Sequence, residues 1–501
     1  MASQVIRFDD WSGGEYGSLG GRKAPPGSWT GTNVMVYRNG SLGPRAGLRN
    51  TTPSGFPGGT IWGLVATGVP GADGLIVVGP SVYTFALGAT GGAMTFIGNL
   101  LAGPTAPVGL VAVPGAVYLS SLGDRTYKVA GGVAALPGTA YGGRHLAIHG
   151  TRLVIGHLTE SGGPVLLRRM RWSDAAAETF AAANFVDAGD PWHISGLHTM
   201  RDVLTIAKQN QWLVLTGSLA DLGGTVGLDA TIRRVSRHDG PLRGGEAAVG
   251  ASELCWFQGL FDRCPSLFTG SAASRLAHLD YTASVPNDGS DATPTHAVVA
   301  LDRAGSGEAG VAFVAQPDGR AALHHNGTWS FHTLGAGAGA RGVASSGRVH
   351  LASSGAVWTW DYGFDRPGDG SGSASQGDGN SVPVPASVTV PEWWAPAGEV
   401  VQVRSVVLEL DSYTTNSAAT NHVDVLVDCL GPYQAEGVVT AVTQAFDRPQ
   451  GGGTGGSPHR ITFGVDGSRG GGFRIRLENI RGCAIRAVTV IADVESAWTR
   501  A

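Results

Sequence analysis

Lysine and cysteine are the scarcest reactive residues in this chain of 501: lysine occurs three times, at Lys23, Lys128 and Lys208, and cysteine four times, at Cys255, Cys264, Cys429 and Cys483. Four cysteines so far apart form neither a disulfide framework nor a CxxC metal site, so free thiols in a reducing compartment are expected. None of the three lysines follows a glycine, which excludes a GxxxxGK[ST] phosphate loop. None of the 14 histidines precedes a glutamate, which excludes an HExxH zinc helix. Charge is low as well. Charged residues make up 15 % of the chain and the net charge is −4, whereas a general nucleic-acid binder shows an excess of basic residues.

Long apolar runs are missing too. The longest stretch without a charge, from Gly74 to Gly123, is broken by Pro80, Pro104, Pro107, Pro114 and many glycines, so a membrane-spanning helix is not expected. Strands buried on both faces account for it better, because they read as continuous apolar runs rather than as alternation. The opening MASQVIRFDD has neither the basic nor the apolar part of a secretory signal, which predicts synthesis in a cytoplasm.

Glycine is abundant instead: 79 residues against 26 prolines. That load suits turns with positive φ and disfavours helix interiors. Only Asp174 to Phe180 looks helical, with Ser173 or Asp174 placed to cap its first turn. Seven times along the chain an apolar strand, a tight turn and a second strand recur. The units are GLIVVGPSVYTFAL, GAVYLSSLGDRTYKV, RLVIGHL with VLLRRMRW, DVLTIAKQNQWLVLTG, SELCWFQGLFDRC, VAFVAQPDGRAALHH and RVHLASSGAVWTWD. A spacing of roughly 40–50 residues with paired strands in each unit is the signature of a β-propeller, here of six to eight blades.

Four segments follow from composition. Residues 1–55 read as an extended N-terminal arm with a first hairpin, anchored on another surface by Phe8, Trp11, Tyr16 and Trp29. Residues 56–364 are the propeller. The apolar-free DRPGDGSGSASQGDGNS of 365–381 is a flexible linker. Residues 382–501 alternate as in FRIRLENI, where Phe473, Ile475 and Leu477 share one face and Arg474, Arg476 and Glu478 the other; this predicts a β-sandwich of jelly-roll type. An arm of this kind predicts that deleting residues 1–26 leaves a folded propeller that fails to assemble.

Chemistry-bearing patterns are few. His145 and His149 share a strand face but have no third ligand type nearby, and Asp365, Asp369 and Asp378 do not match a calcium loop. Catalytic, cofactor and metal sites are therefore not expected. Arg168, Arg169 and Arg171, and likewise Arg233, Arg234 and Arg237, suit a solvated strand face or a subunit contact. Asn326-Gly327-Thr328-Trp329 matches only the tail of a sialidase Asp-box, so a propeller glycoside hydrolase is the weakest reading. Trp393 and Trp394 point to opposite faces of a strand, leaving one of them for stacking on a glycan.

Two blocks carry a resemblance. Phe8, Gly13-Gly14, Pro25-Pro26, Asn33, Asn39-Gly40, Leu42, Arg45 and Gly47 follow the order F-x-G-G, proline, asparagine before a strand, and N-G-x-L-x-x-R-x-G. The second block is RWSDAAAETF, then HISGLHTMRDVLTIAKQNQWLVLTG, then VSRHDGPLRGGEAAVGASELCWFQGLF. Both resemble propeller-type virion proteins of tailed bacteriophages, namely minor tail proteins and tail nozzle or hub components. The resemblance implies a non-enzymatic structural role in the tail or neck, with Arg45 among the interface residues. Its implied partners are other tail proteins and copies of itself in a ring around a conduit, through which genomic DNA passes without specific binding. A tail-mounted or free protein recognising a host-surface glycan is the alternative.

Overall fold

The computed structural model describes residues 2–15, 26–37, 40–45, 48–67, 73–86, 93–138, 140–175, 178–200, 202–208, 211–220, 230–237, 248–249, 254–257, 265–268, 273–275, 298–302, 311–315, 320–325, 328–333, 342–345, 349–353, 355–360, 386–412, 421–431, 437–446, 459–465, 469–481 and 483–496. All regular structure among them is β-strand. No helix there is long and apolar enough to cross a membrane.

Seven antiparallel sheets of four strands each follow one another along the chain: 61–99, 109–135, 141–187, 194–237, 248–275, 298–333, and 342–360 completed by Leu48–Asn50. Their first strands form a closed ring. Ile61–Ala66 lies against Gly109–Val113, and the series continues through Tyr141–His149, Ile194–Met200, Ala248–Val249 and Val298–Asp302 to Gly342–Ser345, which returns to Ile61–Ala66. That cyclic order makes the protein a β-propeller, with seven blades among the described residues.

Closure depends on the chain's beginning. Leu48–Asn50 pairs antiparallel with Trp358–Trp360 and supplies the outermost strand of the last blade. Its clasp continues past the strand: the Thr51 amide donates to Val357 O (2.9 Å), the Thr51 and Thr359 hydroxyls meet at 2.7 Å, and the Val357 amide donates to Thr52 Oγ1 (3.0 Å).

Between neighbouring blades the apolar residues interlock. Leu75, Val77, Leu119 and Val129 fill the space between the first two blades, and Ile76 and Leu64 pack on Ala352 and Val357 of the last. Each such side chain fully buried contributes roughly 1.5–3 kcal/mol against exposure. The contact is close enough that Gly142 admits no side chain: a Cβ there would lie 2.0 Å from Ser121 O.

The remaining strands form a sandwich of two seven-stranded sheets, built from both ends of the chain. One sheet runs His459–Gly464, Glu399–Ser412, Cys483–Ser496, Leu42–Pro44, Val34–Val36, with Ala2–Phe8 on Cys483–Ser496 and Arg469–Gly470 on Glu399–Ser412. The other runs Gly14–Glu15, Ser28–Thr32, Ser387–Thr389, Gly472–Arg481, Asn421–Leu430, Gly437–Phe446, with Trp393–Trp394 on Gly472–Arg481. Phe473, Ile475 and Leu477 enter the core between them, and Arg474, Arg476 and Glu478 stay outside it.

Two expectations change. The N-terminal segment is not a separate arm: its strands up to Leu42–Pro44 belong to the sandwich, Leu48–Asn50 belongs to the last blade, and Trp11 and Trp29 are buried in the same core as Phe473 and Val490. Short strands of two to seven residues between glycines and prolines are enough to complete sheets whose other strands come from the far end of the chain. The described part of 174–180 is a turn rather than a helix. There Asp174 Oδ1 accepts from the amides of Glu178 (3.2 Å) and Thr179 (3.4 Å), and the Asp174 amide donates to Thr179 O (2.8 Å), so the expected capping side chain closes a loop. The 365–381 segment, the Tyr16 anchor and Cys264 lie outside the described residues. Cys429 and Cys483 are buried thiols outside any disulfide.

Candidate functional site: the domain junction and the outer sandwich face

The chain changes sheets at Asn33. Ser28–Thr32 belongs to one sheet of the sandwich and Val34–Val36 to the other, and Asn33 between them takes φ 58°, a conformation asparagine tolerates better than most side chains. Arg45 fastens this corner. Its Nε donates to Asn33 Oδ1 (3.0 Å) and its amide to Asn33 O (2.8 Å), with the side chain buried. Three residues later the chain enters the last blade.

Blade six closes over the same place. Gly14–Glu15, Ser28–Thr32 and Val34–Val36 lie against Thr328–Thr333, its outermost strand. Ser330 Oγ and His332 Nε2 are 2.9 Å apart, and both residues are buried. Burial holds the His332 ring well below the usual imidazole pKa, and the Arg45 charge adds to the effect. The Arg45 expected at an interface therefore sits at an internal one, between sandwich and propeller.

The first arginine cluster is also satisfied within the chain. Arg169 pairs with Asp187 (2.9 Å) and Glu160 (3.4 Å), and Arg171 with Glu160 (2.7 Å) and the carbonyl of Ala182 (2.9 Å). The guanidinium of Arg171 lies 4.2 Å from the Tyr141 ring centre, and that of Arg169 lies 4.2 Å from that of Phe185. The Arg169 hydrogen bond holds the Asp187 carboxyl below its ordinary range. Only Arg168 keeps a half-exposed side chain beside Asp187. Of the second cluster, Arg233 and Arg234 are exposed on the outer strand of blade four, and the Arg237 side chain lies outside the described part.

Lys208 is fully buried. Its ammonium donates to the carbonyls of Ala188 and Asp190 and to the Asp190 carboxylate, which Gln211 also holds. Burial lowers its pKa, opposed by Asp190. This lysine therefore latches blade four to the segment leaving blade three. Nothing in its sequence setting separates a latch from a ligand.

Histidines gather between blades three and four. His145 and His157 lie with ring centres 6.1 Å apart, and His157 and His193 at 5.7 Å. His149 Nε2 is 2.8 Å from Gly217 O, so it does not join them. No group of three potential metal ligands occurs among the described residues. Nearby, His198 Nε2 is shut off from water, and desolvation lowers its pKa to about 4 from 6.5.

A depressed base gives a definite acid dependence. The unfolded chain binds the His198 proton more readily between pH 6.5 and 4, so this stability is fully present above 6.5 and is lost as the pH falls. The loss is about 1.4 kcal/mol per pH unit. His332 acts in the same direction. Urea unfolding is expected to show at least about 2 kcal/mol less stability at pH 5 than at pH 7. Equal midpoints at the two pH values would mean that these rings are hydrated.

On the outer sandwich face the two tryptophans separate as their adjacency requires. Trp393 stacks on Phe473 (ring centres 5.4 Å apart, planes at 23°), and Trp394 is 43 % exposed. Among the other aromatics expected on an interface, Phe8 packs partly buried on the sandwich core.

No family model matches the chain, and no curated protein sequence matches it significantly. Among solved structures, it is similar to the Neurospora crassa Pan2 WD40 domain at 9 % identity and a TM-score of 0.40, over 61 % of this chain and 90 % of that one. Chaetomium thermophilum Raptor is similar at 10 % identity and a TM-score of 0.39, over 66 % of this chain and 29 % of that one. Likenesses this distant carry no argument about function.

Proposed function

We propose that the protein is a non-enzymatic structural component of a tailed-phage virion, assembled into the tail or neck in contact with neighbouring tail proteins. One observation carries the reading. The residues that resemble virion propellers have architectural positions: Asn33 and Arg45 make the sheet-switching corner under blade six, Lys208 makes the latch of blade four, and Trp212 is buried in that blade. A shared motif whose side chains are occupied in joining domains and blades suits a part selected for its shape.

Two further features support an assembly role. The strand Ala2–Phe8 pairs with Cys483–Ser496 on one side and has no partner strand on the other among the described residues, and Val5 on it is 69 % exposed. Such an edge offers backbone donors and acceptors to a neighbouring subunit. The net charge of −4 carries no overall excess of basic residues toward passing DNA, in keeping with a homo-oligomeric ring around a conduit.

Mass spectrometry of purified virions, with antibody labelling along the particle, tests the proposal. The protein is expected in stoichiometric amounts at the tail or neck. Its absence from mature particles would overturn the reading.

A further inference from the structure

The outer face of the sandwich, around Trp394, carries an arrangement that assembly does not require. The strand Trp393–Trp394 pairs with Phe473 and Gly472, and the outward Trp394 lies across from Gly472. A Cβ at Gly472 would come within 3.0 Å of the indole, and one at Gly431 or Gly471 within 3.8 Å. Gly472 thus lets the ring lie against bare backbone, with Gly431 and Gly471 at ordinary contact distance beside it, and the indole remains 43 % exposed.

A row of paired charges runs from the ring along the same face. Trp394 Nε1 donates to Glu392 Oε2 (3.3 Å), and Glu392 Oε1 lies 3.6 Å from Arg474 Nη1. Arg474 reaches Asp428 (3.0 Å), its cross-strand partner, and Arg476 holds both oxygens of Asp428 (2.9 and 3.2 Å). The guanidinium of Arg476 also meets Glu478. Three carboxylates and two guanidinium groups leave this row with an excess of one negative charge, which disfavours a nucleic acid or another polyanion. Both edges of Gly472–Arg481 are already paired, by Asn421–Leu430 on one side and by Ser387–Thr389 and Trp393–Trp394 on the other, so a peptide strand has no backbone to join there.

We propose that this face binds a neutral hexose-containing polysaccharide, with one pyranose ring stacked on Trp394 and its hydroxyls bridging Glu392 and Arg474. A pyranose presents an apolar C–H face to the indole, and its vicinal hydroxyls both donate and accept, which a fixed carboxylate–guanidinium pair satisfies in both directions. This site is independent of the virion reading, because a free protein would carry it equally.

The full-length protein on an array of bacterial surface polysaccharides and hexose oligomers tests the site. Saturable binding to at least one neutral glycan is expected, about tenfold weaker in Trp394→Ala. Trp394 also covers Gly472, so the circular dichroism and melting of that variant must be checked. Arg474→Gln, which keeps the indole and its glycine floor, is expected to weaken binding with an unchanged melting curve. The proposal is overturned if no glycan binds saturably, or if binding survives both substitutions.

Discussion

Removing residues 1–26 is expected to unfold the C-terminal sandwich, the reverse of what a free arm predicts. The deletion takes away Ala2–Phe8, whose seven residues all pair along Cys483–Ser496 from Ala2 with Val494 to Phe8 with Val488. It also removes Trp11, which is buried in the sandwich core and donates from Nε1 to Arg486 O (3.2 Å). Excising one buried tryptophan side chain costs about 3–5 kcal/mol. A domain's whole stability is commonly about 5–15 kcal/mol, so losing Trp11 and an entire strand together removes much or all of the margin. The charge contacts made by Arg7 with Asp9 and Glu409 are exposed and add little. Trp29→Ala is a milder form of the same test, because Trp29 is wholly buried and the strand stays in place. Circular dichroism and limited proteolysis of the truncated chain check this: a native-like, protease-resistant sandwich would mean that the first strand is dispensable.

Ring closure is the second point where a small change has a large effect. Thr51→Pro removes the amide that donates to Val357 O and the hydroxyl that meets Thr359 Oγ1, directly beside the strand that joins the chain's beginning to the last blade. Proline also restricts the residue before it, Asn50, which pairs with Trp358. The cost is expected to be about 3 kcal/mol or more, and it falls on the contact that keeps the last blade beside the first. Calorimetry is expected to show a lower melting temperature and a broader transition. Thr51→Ser, which retains both hydrogen-bonding groups, is expected to stay close to the original curve. Equal melting of the proline variant and the original chain would mean that the ring closes without this clasp.

Much of the propeller was legible because its blades bury their middle strands on both faces. Six of the seven recurring units in the sequence coincide with the second and third strands of successive sheets, from Gly74–Val78 with Ser81–Phe85 and Ala116–Ser120 with Thr126–Val129 to Val349–Ser353 with Ala356–Trp360, whereas the fifth, SELCWFQGLFDRC, holds the second strand, Leu254–Phe257, and ends just before the third, Pro265–Phe268. The outer strands were not legible. Phe185–Asp187 and Leu48–Asn50 have three residues each, too short for a periodic pattern, and the second of them is separated from its blade by some three hundred positions.

The sandwich shows the same limit more sharply. Alternation marked Gly472–Arg481 and its inward Phe473, Ile475 and Leu477, because that pattern is local. The pairing of Ser3 with Asp493 leaves no local trace, and glycines and prolines around Trp11 and Trp29 exclude long elements without excluding short ones. Site residues divide in a similar way. The opposite orientations of Trp393 and Trp394 follow from adjacency on a strand, whereas the glycine floor under Trp394 is assembled from two segments distant in sequence, Gly431 on one and Gly471 and Gly472 on the other. For Arg45 the motif was visible and the partner was not, since Asn33 and His332 reach it only through the fold.

The central structural claim is that the two ends of the chain fold as one unit. Hydrogen–deuterium exchange of the intact protein measures this directly at the strand Ala2–Phe8. Amides of that strand whose partners lie on Cys483–Ser496 are expected to exchange as slowly as those of Cys483–Ser496 itself, and to be lost with them in a single cooperative step under mild denaturant. Rapid exchange across Ala2–Phe8 while Cys483–Ser496 remains protected would contradict the account.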